Sequence, residues 1–171
     1  MKKYVALLLT LVLILSMTSC KNNSWPEGVP ENFSFSLTWN CYGVSSYDSL
    51  TGELVKTTDA TSPEDYITNY ELTPEEIELI YNMIEELEVD SYPDEYDPHP
   101  ANVASTPPMT LILTVRVGDT EKTITAENIA GSFSSQKQEG QEFLTVCKEI
   151  IDILTATEEW QELPEYEKHY R

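Results

Sequence analysis

Phe33-Ser34-Phe35-Ser36-Leu37-Thr38-Trp39-Asn40-Cys41 alternates without a break between apolar and polar residues. Side chains of an extended chain point alternately to opposite faces, so a period of two marks a strand with one wet and one buried face. The stretch therefore predicts a half-buried strand with Phe33, Phe35, Leu37, Trp39 and Cys41 against a core. Such a strand needs sheet neighbours and a covering layer, and the flanking sequence supplies candidates for both.

Downstream, Asp48 and Gly52 bracket a turn. An Asp side chain accepts a hydrogen bond from the backbone two residues on, and glycine takes positive φ without strain. A hairpin closing at Asp48–Gly52 and returning through Leu54 and Lys56 follows, and Tyr66, Ile67 and Tyr70 could prolong or add a strand. A second alternating run, Met109, Leu111, Leu113, Val115 and Val117, meets Gly118-Asp119, a two-residue hairpin turn, and its partner is expected from Glu121 to about Ala126. Ile112 breaks the polar face of this run, which points to a central strand partly covered on both sides.

The covering layer is helical. Leu72-Thr73-Pro74-Glu75-Glu76-Ile77 carries a complete start signal. Thr73 is the N-cap, Pro74 occupies the first turn where its missing N–H is not needed, and Glu76 closes a capping box. Leu72 and Ile77 form a hydrophobic staple, and Ile77, Ile80, Tyr81, Ile84 and Leu87 recur on one face of a helix ending near Glu88. A second helix is expected from about Gln141 to Leu154, with Phe143, Val146, Cys147, Ile150 and Leu154 inward. Residues 90–108 hold five prolines and read as a long irregular loop. In the tail, Trp160 and Leu163 are candidate packing anchors and Pro164 ends any helix. The expected fold is α+β: an antiparallel sheet of four to five strands with two helices on one face, the strand-strand-helix order occurring twice.

Upstream, Met1-Lys2-Lys3 precedes an apolar run of 11 residues, Val5 to Leu15. About 20 apolar residues are needed to cross a bilayer, so the run is too short to span and fits the apolar region of an export signal. Leu15-Ser16-Met17-Thr18-Ser19-Cys20 resembles the lipobox of bacterial lipoprotein precursors, with Met17 where Leu is commoner. The resemblance implies cleavage before Cys20, a diacylglycerol thioether on its sulfur, and anchoring at the extracytoplasmic face of the cell membrane. Two acyl chains hold a protein stably where one does not. Residues 1–19 are then the signal peptide, 20–32 the lipidated cysteine and a Pro-, Gly- and Asn-rich linker, and 33–171 a single folded domain. The mature part is similar to small uncharacterised lipoproteins of Gram-positive bacteria in its element order and its Ser46-Tyr47-Asp48-Ser49 hairpin tip; that likeness implies no activity.

Loss of Lys2 and Lys3 from the 10 basic residues leaves 8 against 30 acids, a formal charge near −22. That argues against nucleic acid, which requires cationic side chains, and leaves a basic protein or peptide as the candidate partner. Fourteen acids and no Lys or Arg lie between Lys56 and Arg116.

Residues able to carry catalysis are few. His99 sits between prolines and His169 is three from the end, and neither belongs to a nucleophile–base–orienter arrangement. Phosphate loops, the nucleophile elbow and zinc motifs are missing, and no cofactor is expected. Asp94, Glu95 and Asp97 are the candidate metal ligands, because clustered carboxylates suit Ca²⁺; without a turn glycine the loop reads first as a solvated one. The principal expectation is a non-enzymatic binding module. An acidic Ca²⁺-responsive domain and a hydrolase using two carboxylates are the alternatives. Tyr92, Tyr96, Tyr166 and Tyr170 could form a binding surface, but packing of loops onto the domain is the expectation. Cys41 and Cys147 are expected to be buried, as free packed thiols, with a disulfide between them as the alternative that an extracytoplasmic setting permits.

Overall fold

A computed structural model describes Pro26 and residues 28–40, 43–96, 109–129 and 138–168. Strand β1 is Phe33–Asn40, as the alternation requires; β2 (Val44–Asp48) and β3 (Glu53–Val55) form the hairpin, and β4 is Ile67–Asn69. Helix α1 (Pro74–Glu86) follows, then β5 (Glu95–Tyr96), β6 (Met109–Val117), β7 (Thr120–Ile129), α2 (Gln138–Thr155) and α3 (Glu158–Glu162). The strands lie in the order β4-β3-β2-β1-β6-β7-β5.

The α+β class and the antiparallel sheet match the sequence, and the details enlarge it. Six strands are antiparallel, and the two-residue β5 pairs parallel to β7 at one edge. The expected four to five strands are thus too few, because β4 and β5 are too short for any period to register. Four strands precede α1 and three precede α2, so the twofold strand-strand-helix order does not hold. A third helix forms because Thr157 caps it, its hydroxyl accepting the N–H of Trp160 at 3.2 Å. Within the stretch expected to be irregular, Val89–Ser91 makes a 3-10 turn and β5 follows. Helix α1 stops at Glu86, and Glu88 then takes a left-handed conformation, φ 52°.

Register explains the layering. Leu37 lies opposite Leu113, Phe35 opposite Val115 and Trp39 opposite Leu111, and Leu113 in turn faces Ile124. These side chains share one face and one core with Ile80 and Ile84 of α1, Phe143, Cys147 and Ile150 of α2, and Trp160 of α3. The helices therefore cover a single face of the sheet. An irregularity between Met109 and Leu111 places one extra residue in β7, which returns Ile129 to the core after Ala126 and carries the strand past its expected end. The opposite face is built of Ser36, Thr38, Ser46, Thr114 and Thr123, with a hydroxyl–hydroxyl bond of 2.9 Å between Thr114 and Thr123. Strand β6 is central, and Ile112 on this second face is only partly buried.

The C-terminal segment straps the β3–β4 side. Lys56 is buried; its Nζ donates to the Leu163 carbonyl at 3.3 Å and lies 5.6 Å from the Trp160 ring centre and 5.4 Å from that of Tyr166. Tyr66 donates to the Glu165 carbonyl at 2.8 Å, Glu167 accepts from the amide and hydroxyl of Thr61, and Lys168 pairs with Asp59. Trp160 and Leu163 are buried as expected. Tyr92 packs on Phe143 with ring centres 5.7 Å apart. Cys147 is free and fully buried, which raises its thiol pKa. Cys41, Tyr170 and most of the linker lie outside the described residues.

Leu113 and Ile112 are chain neighbours on opposite faces, and they test the one-sided core. Leu113→Ala should lower the unfolding free energy by about 2–5 kcal/mol, and Ile112→Ala by about half of that or less. Urea denaturation measures both; equal losses would mean that the second face is also closed.

Candidate functional site

A hollow of about 650 Å³ opens where the β2–β3 turn meets the segment between β4 and α1. Phe33, Phe35, Leu72 and Ile77 supply its apolar surface; Ser49, Thr51, Asn69 and Glu71 supply polar groups. Leu50, at the tip of the turn, is 73% exposed and lines the same hollow. Apolar surface with a few placed polar groups is the usual makeup of a ligand site.

Each wall is fixed by local chemistry. Asp48 Oδ1 accepts the Leu50 N–H at 2.8 Å, and the Gly52 N–H donates to the Asp48 carbonyl at 2.8 Å. Gly52 has φ 74°, and a Cβ there would meet the Tyr70 carbonyl oxygen at 3.1 Å, so both the turn and the approach of the second wall require glycine. Ser49 ties the turn to β1: its Oγ accepts the Phe35 N–H at 2.8 Å and its own N–H donates to the Phe35 carbonyl at 2.9 Å. The far wall is pinned by Tyr70 N–H to the Gly52 carbonyl at 2.8 Å and by the Tyr47 hydroxyl to the Tyr70 carbonyl at 3.1 Å.

The capping box read from the sequence sits beneath that wall. Thr73 Oγ1 accepts the Glu76 N–H at 3.2 Å, and Glu76 Oε2 accepts the Thr73 N–H at 2.9 Å. Glu76 has a further role that spacing alone did not reveal: the Tyr70 hydroxyl donates to its carboxylate at 2.7 Å. Partial burial opposes ionisation of Glu76, but the hydrogen bonds from Tyr70 and Thr73 outweigh it and hold the carboxyl below its ordinary range. Burial, then the bond to Glu76, raises the Tyr70 phenol. Burial pushes Tyr47 up to about 12. None of the three shifts moves its group toward neutral pH.

The candidate calcium ligands do not line this groove. Asp94 is largely exposed and accepts from Lys122 Nζ at 2.7 Å; Glu95 is exposed on β5; Asp97 lies outside the described residues, as do His99, His169 and the lipidation candidate Cys20. Among the described residues no three His, Cys, Asp or Glu side chains are gathered as a metal site. A second hollow of about 500 Å³ joins the end of α1 to α2, and carries Glu86, Glu88 and Glu142 beside Tyr92.

Sequence reading found the turn and the helix start separately and did not foresee that they meet, since their contact depends on β3–β4 pairing. The one local signal was Leu50, an apolar residue at a turn apex. No protein-family model matches this chain, and no curated protein matches it. Fold and site together define a structural class: a one-sided antiparallel sheet with helices on its inner face and a braced groove at one corner.

The Glu76 network gives a pH prediction. Its folded-state pKa is depressed, so the stability it contributes is present above the ordinary glutamate value of about 4.3 and is lost as pH falls through the folded value. Glu76→Ala should destabilise by about 0.5–2 kcal/mol at pH 7 and by less at pH 3, read from denaturation curves. A loss that is the same at both pH values would assign the role to packing.

Proposed function

We propose that this chain is an extracytoplasmic lipoprotein, held at the outer face of the cell membrane by lipid on Cys20. On this reading its folded part is a non-enzymatic binding module that engages a basic protein or peptide at the groove. The tether rests on the lipobox of the sequence. Among the described residues no helix is long and apolar enough to cross a membrane. The observation that carries the binding role is the braced groove: apolar surface open to solvent, walls fixed by glycine, capping box and tyrosine hydrogen bonds, and an exposed leucine at the lip. A preformed concave surface gives up little conformational freedom when it is occupied. Its surroundings supply the sign of the partner, because Glu53, Glu71 and Glu75 are exposed beside it.

Metabolic labelling with palmitate should mark the wild-type protein and not Cys20→Ala; label retained on the variant would remove the tether. For the binding role, a photo-crosslinking residue at position 50 should give a discrete adduct in intact cells. The same residue at position 79, exposed on α1 away from the groove, should not. Identical adducts at both positions, or none at 50, would sink the assignment.

A further inference from the structure

Beside the groove the sheet ends at β4, which α3 approaches but with which no further described strand pairs. The Lys56 N–H bonds to the Tyr66 carbonyl and the Tyr70 N–H to the Gly52 carbonyl, at 2.9 and 2.8 Å. In an antiparallel ladder bonded pairs recur every second residue, so the register makes Leu54 and Thr68 the bonded pair between them. Ile67 and Asn69 therefore turn their N–H and C=O groups away from β3. Strand β4 has no other neighbour in the sheet, and no described residue bonds to these outward groups. Ile67 is 43% exposed and Asn69 is exposed. An unpaired edge is a template for another extended chain.

Asn69 belongs both to this edge and to the groove wall, with Tyr70 and Glu71 next along it. A strand added to β4 and continuing past Asn69 meets the hollow between Leu50 and Ile77. The exposed charge flanking it is acidic, Lys56 nearby being buried. Glu53 lies opposite Asn69 across the β3–β4 ladder; Glu64 and Asp65 precede β4, and Glu71 and Glu75 follow it, all exposed. None of these five makes an ion pair with a described residue. A second copy of this acidic chain would bring like charge against like, whereas lysine or arginine side chains would find carboxylates on both sides of the strand.

We infer that β4 and the adjoining groove bind an extended, cationic polypeptide segment by strand addition, with one apolar side chain seated between Leu50 and Ile77. The inference rests on the binding-module reading and names its ligand class. Backbone pairing supplies the strand geometry, the groove selects an apolar residue, and the acids select the charge.

The test uses the full chain in non-ionic detergent and a fluorescein-labelled peptide, Lys-Val-Lys-Val-Lys-Val, read by anisotropy. The peptide should bind. Methylation of alternate backbone nitrogens on its pairing edge should weaken it by about tenfold or more, because each lost bond also leaves a buried group unsatisfied. Replacing its lysines with glutamate should abolish binding. Asn69→Pro removes an edge donor and leaves the β3 ladder intact, and should weaken binding by about tenfold. Should Asn69→Pro melt early, the N-methylated peptide alone tests the pairing, while Glu53→Lys/Glu71→Lys, two exposed changes, tests the charge and should weaken binding, with the residual affinity less sensitive to salt. Binding indifferent to methylation and to either variant would overturn strand addition while leaving a binding module. A discrete crosslink at position 50 with no peptide binding would likewise overturn the cationic-strand ligand alone. Loss of both would remove the parent reading too. A dimer in gel filtration that Asn69→Pro dissociates would make the occupant a second copy and overturn the inference.

Discussion

The pairing of β1 with β6 is the constraint on which the molecule is built. Seven residue pairs run from Phe33 opposite Val117 to Trp39 opposite Leu111, and every second pair sets apolar against apolar on the same side. A slip of one residue would turn outward either Phe35 and Leu37 or Leu111 and Leu113, so the register is fixed by burial rather than by any turn joining the two strands. The inner face can then be closed only by helices, and α1 and α2 present the matching apolar sides. Because most of the apolar area lies on one side, the outer face is left largely with serine and threonine, Val55, Ile67 and Ile112 apart, and Thr114 and Thr123 bond to one another there.

That one-sidedness also makes the groove. The core layer ends where β1 begins, at Phe33 and Phe35, and the start of α1 does not reach the β2–β3 turn. The gap is held open because both of its walls are pinned elsewhere. The turn is tied to β1 through Ser49, and the opposite segment is tied to the turn by Gly52 and Tyr47 and to the helix by Tyr70 and Glu76. Collapse would break hydrogen bonds in partly buried surroundings, where unsatisfied groups are expensive.

Much of this was legible in the sequence, for physical reasons that differ by element. The strict period of β1 and β6, the Gly118-Asp119 turn and the Thr73–Glu76 box are local signals, and each element lies where they place it. Strands β4 and β5 were hidden or doubtful because three and two residues cannot display a period. Their existence depends on the neighbours β3 and β7. The third helix was missed because Thr157 offers only a cap. The burial of Lys56 could not be read from the sequence: it is held by two aromatic rings and a carbonyl, contacts between residues more than a hundred apart in the chain. The groove was illegible for the same reason, since its two walls meet only through tertiary pairing.

The distribution of charge follows from the fold and not from composition alone. Every described basic residue is engaged inside the molecule. Arg116 pairs with Glu121, Lys122 with Asp94, Lys148 with Asp152 and Lys168 with Asp59, while Lys56 serves the C-terminal strap. Three of these ion pairs lie around α2, β5 and the β6–β7 hairpin, and the fourth fastens the tail. The acids flanking β4 and the groove make no ion pair with a described residue. Surface pairs contribute little to stability; on the proposed reading their placement bears instead on recognition, because the carboxylates beside β4 are left for a cationic partner.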